Sequence, residues 1–135
     1  MDKQDKRIFN ILQEEDMPVS PKNLGKYLVY LKNELSFPCL LTGIEDFQWE
    51  EFYVMGPGNR NEYEKLKKTQ PSYTDKFQLI GFCDDIDLDE GLMVDVMRSS
   101  DKKKFKLLLA ELKDTKRKSR NYQLLDDYSV WFVNY

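Results

Sequence analysis

The sequence predicts an α+β domain with N-terminal helices, a small, SH3-like, mostly antiparallel five-stranded sheet or barrel, and a short C-terminal helix. Three observations support this class: an apolar stripe at helical spacing over 24–35, five short apolar or aromatic runs after Pro38, and polar turns between those runs. At 135 residues the chain is long enough for one domain. We expect residues 21–135 to form its core and residues 1–20 a helical N-terminal extension.

Two helices are expected before the sheet and one after it. The first spans residues 4–15 and cannot continue past Met17-Pro18. Ser20 then caps a second helix that begins at Pro21 and ends before Phe37-Pro38. The third is short: Asp126-Asp127 is predicted to cap it, and residues 128–133 to place Trp131 and Phe132 against the core.

The predicted strands span residues 37–44, 49–55, 76–82, 92–97 and 105–109. The second is predicted because WEEFYVM is rich in aromatic and β-branched residues. A GPGN turn and a short surface helix over 61–69 separate it from the third. Residues 113–120 are expected to form a basic surface loop. Short strands at this spacing are typical of a twisted sheet or a partly closed barrel.

Composition favours a binding protein over an enzyme. Histidine is absent, which removes the commonest general base near neutral pH and most zinc sites. No spacing supports a paired acid and base, so a carboxylate-based hydrolase is a minor alternative. No run of about 18 apolar residues exists and no signal-peptide pattern begins the chain, so we expect a cytoplasmic protein without a membrane span.

The charge is unevenly distributed along the chain. Residues 98–120 contain ten basic and three acidic residues, a net charge of +7. Because the total is −3, the remaining residues carry −10. The densest acidic point is the loop over 84–90, where five of seven residues are acidic. An acidic loop and a basic segment are therefore the two functional features to explain.

The acidic loop predicts a calcium site. Alternating carboxylates in a tight loop can turn toward one centre, and calcium takes six to eight oxygen ligands. The expected ligands within the loop are Asp84, Asp85, Asp87, Asp89 and Glu90. Acids elsewhere that could complete the shell are Glu45, Asp46, Glu50, Glu51, Asp126 and Asp127. The alternative is a solvated hairpin loop whose acids serve solubility.

The loop is not an EF-hand. Glu90 stands where that motif needs glycine, and Val96 stands where it needs the bidentate glutamate. Strands, moreover, are predicted on both sides of the loop where an EF-hand has helices.

Three stretches resemble the prokaryotic, non-EF-hand calcium-binding proteins of the CcbP type. They are LKNELSFPCLL, EGLMVDVMRSSDKKKFKLLLAEL and the C-terminal NYQLLDDYSVWFVNY, within about residues 31–135. The resemblance implies a compact α+β domain with an SH3-like β core, calcium held by acidic side chains, and no catalysis. It does not assign individual ligands, and the segment 47–76 departs from the family pattern.

Two other binding functions remain as alternatives. The basic segment predicts a nucleic-acid surface built from Lys102, Lys103, Lys104, Lys106, Lys116, Arg117, Lys118 and Arg120. The sequence pI of about 5.1 disfavours that partner. The aromatic residues Trp49, Phe52 and Tyr53 could instead serve a protein partner, although core packing is the simpler interpretation for them.

Overall fold

The computed structural model describes residues 2–13 and 16–135. The helices are α1 (Lys3–Leu12), α2 (Pro21–Glu34), α3 (Glu51–Val54), α4 (Arg60–Leu66) and α5 (Arg120–Asn134). The strands are β1 (Leu40–Gly43), β2 (Phe77–Phe82), β3 (Met93–Arg98), β4 (Lys104–Leu108) and β5 (Leu112–Asp114). Two 3₁₀ turns lie at Gln48–Glu50 and Leu109–Glu111.

Side-chain caps set the start of the three long helices. Asp2, Ser20 and Ser119 each accept a hydrogen bond from the backbone N–H three residues later. The Ser20-Pro21 start was predicted from the sequence and is confirmed. Helix α1 ends at Leu12, and residues 14–15, where the prediction ended it, lie outside the described residues.

The five strands form one antiparallel sheet in the order β4-β3-β2-β1-β5. The α+β class is therefore confirmed. Of the predicted SH3-like sheet or partly closed barrel, the barrel is not confirmed, because β4 and β5 are the two edges of an open sheet. Strand β2 alternates buried Phe77 and Leu79 with exposed Gln78 and Ile80, which shows that one face of the sheet is covered.

The strand predicted at 49–55 is wrong: this segment forms a 3₁₀ turn followed by α3. Its turn is held by Glu50, whose carboxylate accepts hydrogen bonds from the backbone N–H groups of Phe47 and Tyr73. The aromatic rings of Trp49 and Tyr53 pack one helical turn apart, with centroids 6.2 Å apart. The aromatic and β-branched residues wrongly predicted a strand here. Their preference for strands depends on the packing context as well as on residue type.

The C-terminal third also differs from the prediction. Lys113 and Asp114, expected to begin a basic surface loop, belong instead to β5 (Leu112–Asp114), which pairs with β1. A three-residue strand is too short to show alternation in the sequence. Helix α5 begins at Arg120 rather than near residue 127, so Asp126 and Asp127 lie inside the helix and do not cap it. The core-facing positions Leu124, Tyr128 and Trp131, at helical spacing, carried the signal for the longer helix.

The core lies where α1, α2 and α5 pack together and against the sheet. The Tyr27 ring of α2 stacks on Trp131 of α5 at 5.0 Å, and both residues are fully buried. Ile8 and Leu12 of α1 belong to the same apolar cluster. Among the helices within 2–13 and 16–135, none is long and apolar enough to cross a membrane.

Candidate functional site

The acidic loop connects β2 to β3 and is docked on α5 at Gly91. Gly91 has a φ of +74°, and a Cβ there would stand 2.6 Å from the hydroxyl oxygen of Tyr128. The same hydroxyl oxygen accepts a hydrogen bond from the backbone N–H of Leu92 at 2.8 Å. Only glycine fits this close approach, which brings the end of the loop against α5. The loop is flanked by strands, as predicted.

Asp87 shapes the turn before this contact. One of its carboxylate oxygens accepts hydrogen bonds from the backbone N–H groups of Asp89 and Glu90, at 2.7 and 3.2 Å. Its backbone carbonyl accepts from the N–H of Gly91 at 2.7 Å. Asp87 thus forms an Asx-type turn that presents the next two carboxylates beside α5.

Those two carboxylates line a surface groove of about 470 Å³ between α5 and the neighbouring end of the sheet. We call this surface the acidic groove. Its lining contains six carboxylate residues: Glu45, Asp46, Asp89, Glu90, Glu111 and Asp126. Within the described part of the chain, no lysine or arginine lines it. Four separate segments of sequence therefore bring negative charge to one place.

Glu111 is the groove residue that sequence reasoning missed. It lies half-buried in the 3₁₀ turn before β5. Burial raises the pKa of its carboxyl group, and the negative charges of Glu45 and Glu51 raise that pKa further. In the sequence, Glu111 is a single acidic residue within Ala110-Glu111-Leu112. Nothing local relates it to the acidic loop, and the two are seen to line one groove only in the structure.

The other loop acids point elsewhere. Asp84 forms an exposed ion pair with Lys32 of α2 at 3.1 Å, away from the groove lining. Asp85 is exposed and does not line the groove either. Across 2–13 and 16–135, no three acidic or cysteine side chains are grouped closely enough to hold a metal ion in this arrangement. A cation would therefore require the groove carboxylates to move closer together. We call the four exposed ones the rim carboxylates: Glu45, Asp89, Glu90 and Asp126.

Two further sequence candidates have structural roles in this arrangement. Glu50 is fully buried and accepts hydrogen bonds from the hydroxyls of Tyr63 and Ser72, at 2.6 and 2.8 Å, besides its backbone bonds. Asp127 accepts a two-pronged hydrogen bond from Arg7 of α1, at 2.8 and 2.9 Å. These carboxylates bind the elements of the fold to each other.

The basic residues do not form one surface. One group lies on or directly before edge strand β4: Lys103, Lys104 and Lys106. The other group, residues 116–118, follows β5 at the opposite edge of the sheet. Four strand spacings separate the two edges by roughly 19 Å. Arg120 also pairs with Glu34 at 3.0 Å. A single continuous phosphate-binding stripe is therefore disfavoured.

Comparison with known proteins bears on the fold. No family model and no curated protein matches the sequence. Two solved structures are similar in fold. One is Anabaena CcbP, with a TM-score of 0.59 over 97% of this chain and 90% of that chain. The other is described as a calcium-binding protein in the calcium-binding form, with a TM-score of 0.57 over 96% of this chain and 89% of that chain. Both are 16% identical to this chain. The CcbP-type resemblance of the sequence is thereby confirmed at the level of the fold.

Proposed function

We propose that this protein binds calcium, and that the acidic groove is where it does so. The observation that carries the proposal is the convergence of six carboxylates from four segments on one groove whose described lining contains no basic residue. Calcium is a hard cation that takes oxygen ligands in flexible geometry, so it suits carboxylates from several separate segments better than magnesium does. The two solved proteins of similar fold are described as calcium-binding or belong to the CcbP type, which supports the same function.

The expected ligands divide into two groups by exposure. The exposed carboxylates, which have room to move toward an ion, are Glu45, Asp89, Glu90 and Asp126. Asp46, which follows β1, and Glu111, in the 3₁₀ turn directly before β5, are half-buried. A divalent ion bound between the exposed and the half-buried carboxylates would offset the repulsion from Glu45 that contributes to the raised pKa of Glu111. Of the loop acids predicted from sequence, this site uses Asp89 and Glu90, with Asp87 holding the turn that presents them.

The test is calorimetric titration with calcium and with magnesium, together with thermal melts in EDTA and in calcium. Calcium at 100 times its Kd is expected to stabilise the protein by about 2.7 kcal/mol, which is a rise in melting temperature of roughly 10 °C. Magnesium is expected to have a smaller effect. Absence of both heat and thermal shift in millimolar calcium would show that the protein does not bind it.

A pair of matched double variants locates the site. Asp89→Asn with Glu90→Gln removes two groove carboxylates, and we expect it to weaken calcium binding by about tenfold or more. Asp84→Asn with Asp85→Asn removes two carboxylates of the same loop that lie outside the groove lining, and is expected to change affinity little. Equal losses in the two variants would assign binding to the loop as a whole instead of the groove.

A further inference from the structure

The floor of the acidic groove is apolar and partly open to solvent. Val133 of α5 is 73% exposed, and Ile44, just after β1, is 42% exposed. Half-buried Leu108, Ala110 and Val130 continue the floor between them. The hydroxyl of Ser129 donates to the carbonyl oxygen of Ala110 at 3.0 Å, so this donor is already used within the fold. A calcium site needs carboxylates, but it does not need an exposed apolar floor.

The charge around this floor is of one sign. Six carboxylates line the groove together with these apolar side chains, and the described lining has no basic residue to pair with them. A complementary ligand must therefore combine an apolar surface with positive charges at its margins.

We propose that the acidic groove docks a cationic amphipathic helix of a partner protein. A helix satisfies its own backbone hydrogen bonds, so its apolar stripe can cover the floor while flanking lysine or arginine side chains reach the rim carboxylates. An anionic membrane surface is the wrong charge for this rim. Exposed Val133 of α5 and Ile44 just after β1 are the apolar side chains that the stripe of the docked helix would cover.

Docking and calcium binding use the same rim. Calcium on those carboxylates would neutralise the charge that attracts the cationic helix, so calcium is expected to release the partner. This calcium sensitivity rests on the proposed function. Docking in calcium-free buffer does not, so the two proposals can fail separately.

The probe is a fluorescein-labelled peptide of about 14 residues containing only leucine and lysine, with leucine at i, i+3, i+4 and i+7. A scrambled peptide of the same composition is its control. Fluorescence anisotropy in EDTA should show that the patterned peptide binds at least about tenfold more tightly than the scrambled one. The double variant Ile44→Ser with Val133→Ser should abolish that difference. Val29→Ser, the same kind of change at a 59% exposed position on α2, should preserve it.

Equal binding of the patterned and scrambled peptides would overturn the proposal, because it would show charge attraction alone. Unchanged binding by the Ile44→Ser, Val133→Ser protein, with its fold verified by circular dichroism, would also overturn it. Sedimentation that shows self-association abolished by the same variant would assign the groove to a second copy of this chain. In saturating calcium, the Kd of the patterned peptide should rise about tenfold. An unchanged Kd despite a measured heat of calcium binding would refute the shared rim.

Discussion

Replacing Gly91 with alanine is expected to destabilise the protein strongly, because two independent constraints meet at that residue. Its φ of +74° is a left-handed conformation that alanine adopts at a cost. The new Cβ would lie 2.6 Å from the hydroxyl oxygen of Tyr128 and 2.8 Å from the ring of Phe132. Tyr128 is fully buried, so it has little room to withdraw.

The magnitude follows from these two terms. The left-handed conformation costs about 1–2 kcal/mol for a residue with a Cβ. Forcing an extra methyl group into a packed contact costs about 1–3 kcal/mol. Together they lower the free energy of unfolding by about 2–5 kcal/mol, which for 135 residues is a fall in melting temperature of roughly 7–18 °C.

Urea and thermal denaturation of Gly91→Ala and Gly25→Ala would measure the effect. Gly25 lies inside α2, and a Cβ there would meet Ile86 at an ordinary 3.8 Å. The same substitution at Gly25 should therefore stabilise by about 0.5–1 kcal/mol. If Gly91→Ala were as stable as the parent protein, the loop would not be docked on α5 as described, and the acidic groove would lose its basis.

Four further predictions concern charged residues. Arg98 donates to both carboxylate oxygens of Asp101 and to three backbone carbonyls near the end of α4, so Arg98→Lys should cost about 2–4 kcal/mol of unfolding free energy in urea melts. Arg98 also holds the pKa of Asp101 at about 2. Because that pKa is depressed, the stabilisation is present above the ordinary carboxyl pKa and is lost as pH falls toward about 2, so Asp101→Asn should flatten acid denaturation below about pH 4. Glu50→Ala should lower stability by about 3 kcal/mol or more, since it leaves buried donors unpaired; a cost near that of a surface alanine substitution would contradict the hydrogen-bond network. Glu111→Gln should stabilise the calcium-free protein at neutral pH, because the raised pKa of Glu111 means that folding disfavours its charged form. The same substitution should weaken calcium binding. A loss of stability in the calcium-free protein would contradict the assignment of Glu111 as a destabilised carboxylate.

Local signals predicted the parts of the fold that short-range chemistry controls. The Ser20-Pro21 start of α2 follows from a side-chain cap three residues from its donor. Strands β2, β3 and β4 were predicted to within one or two residues because each concentrates apolar residues between polar turns. The segment 49–55 was mistaken because the hydrogen bonds that anchor the Glu50 side chain in its turn come from Tyr63, Ser72 and Tyr73, which are distant in sequence.

The candidate site was likewise predicted in its local part and missed where it depends on distant contacts. An excess of carboxylates over 84–90 is visible in the sequence, and the acidic loop was predicted from it. Which acids share a groove was not visible, because Glu111 and Asp89 become neighbours only through the pairing of β5 with β1 and the contact of Gly91 with α5. The +7 segment was likewise misleading as a surface, since Arg98 is buried and the lysines lie on opposite edges of the sheet.

By itself, the sequence determined the α+β class, the capped helix α2, the central strands and the acidic character of one loop, because each is encoded within a few neighbouring residues. Tertiary structure alone decided that the sheet stays open, that Glu50 and Asp127 serve the fold, and that six carboxylates line one groove together with apolar side chains. These outcomes depend on contacts between segments far apart in the chain, and such contacts leave no periodic or local trace in the order of residues.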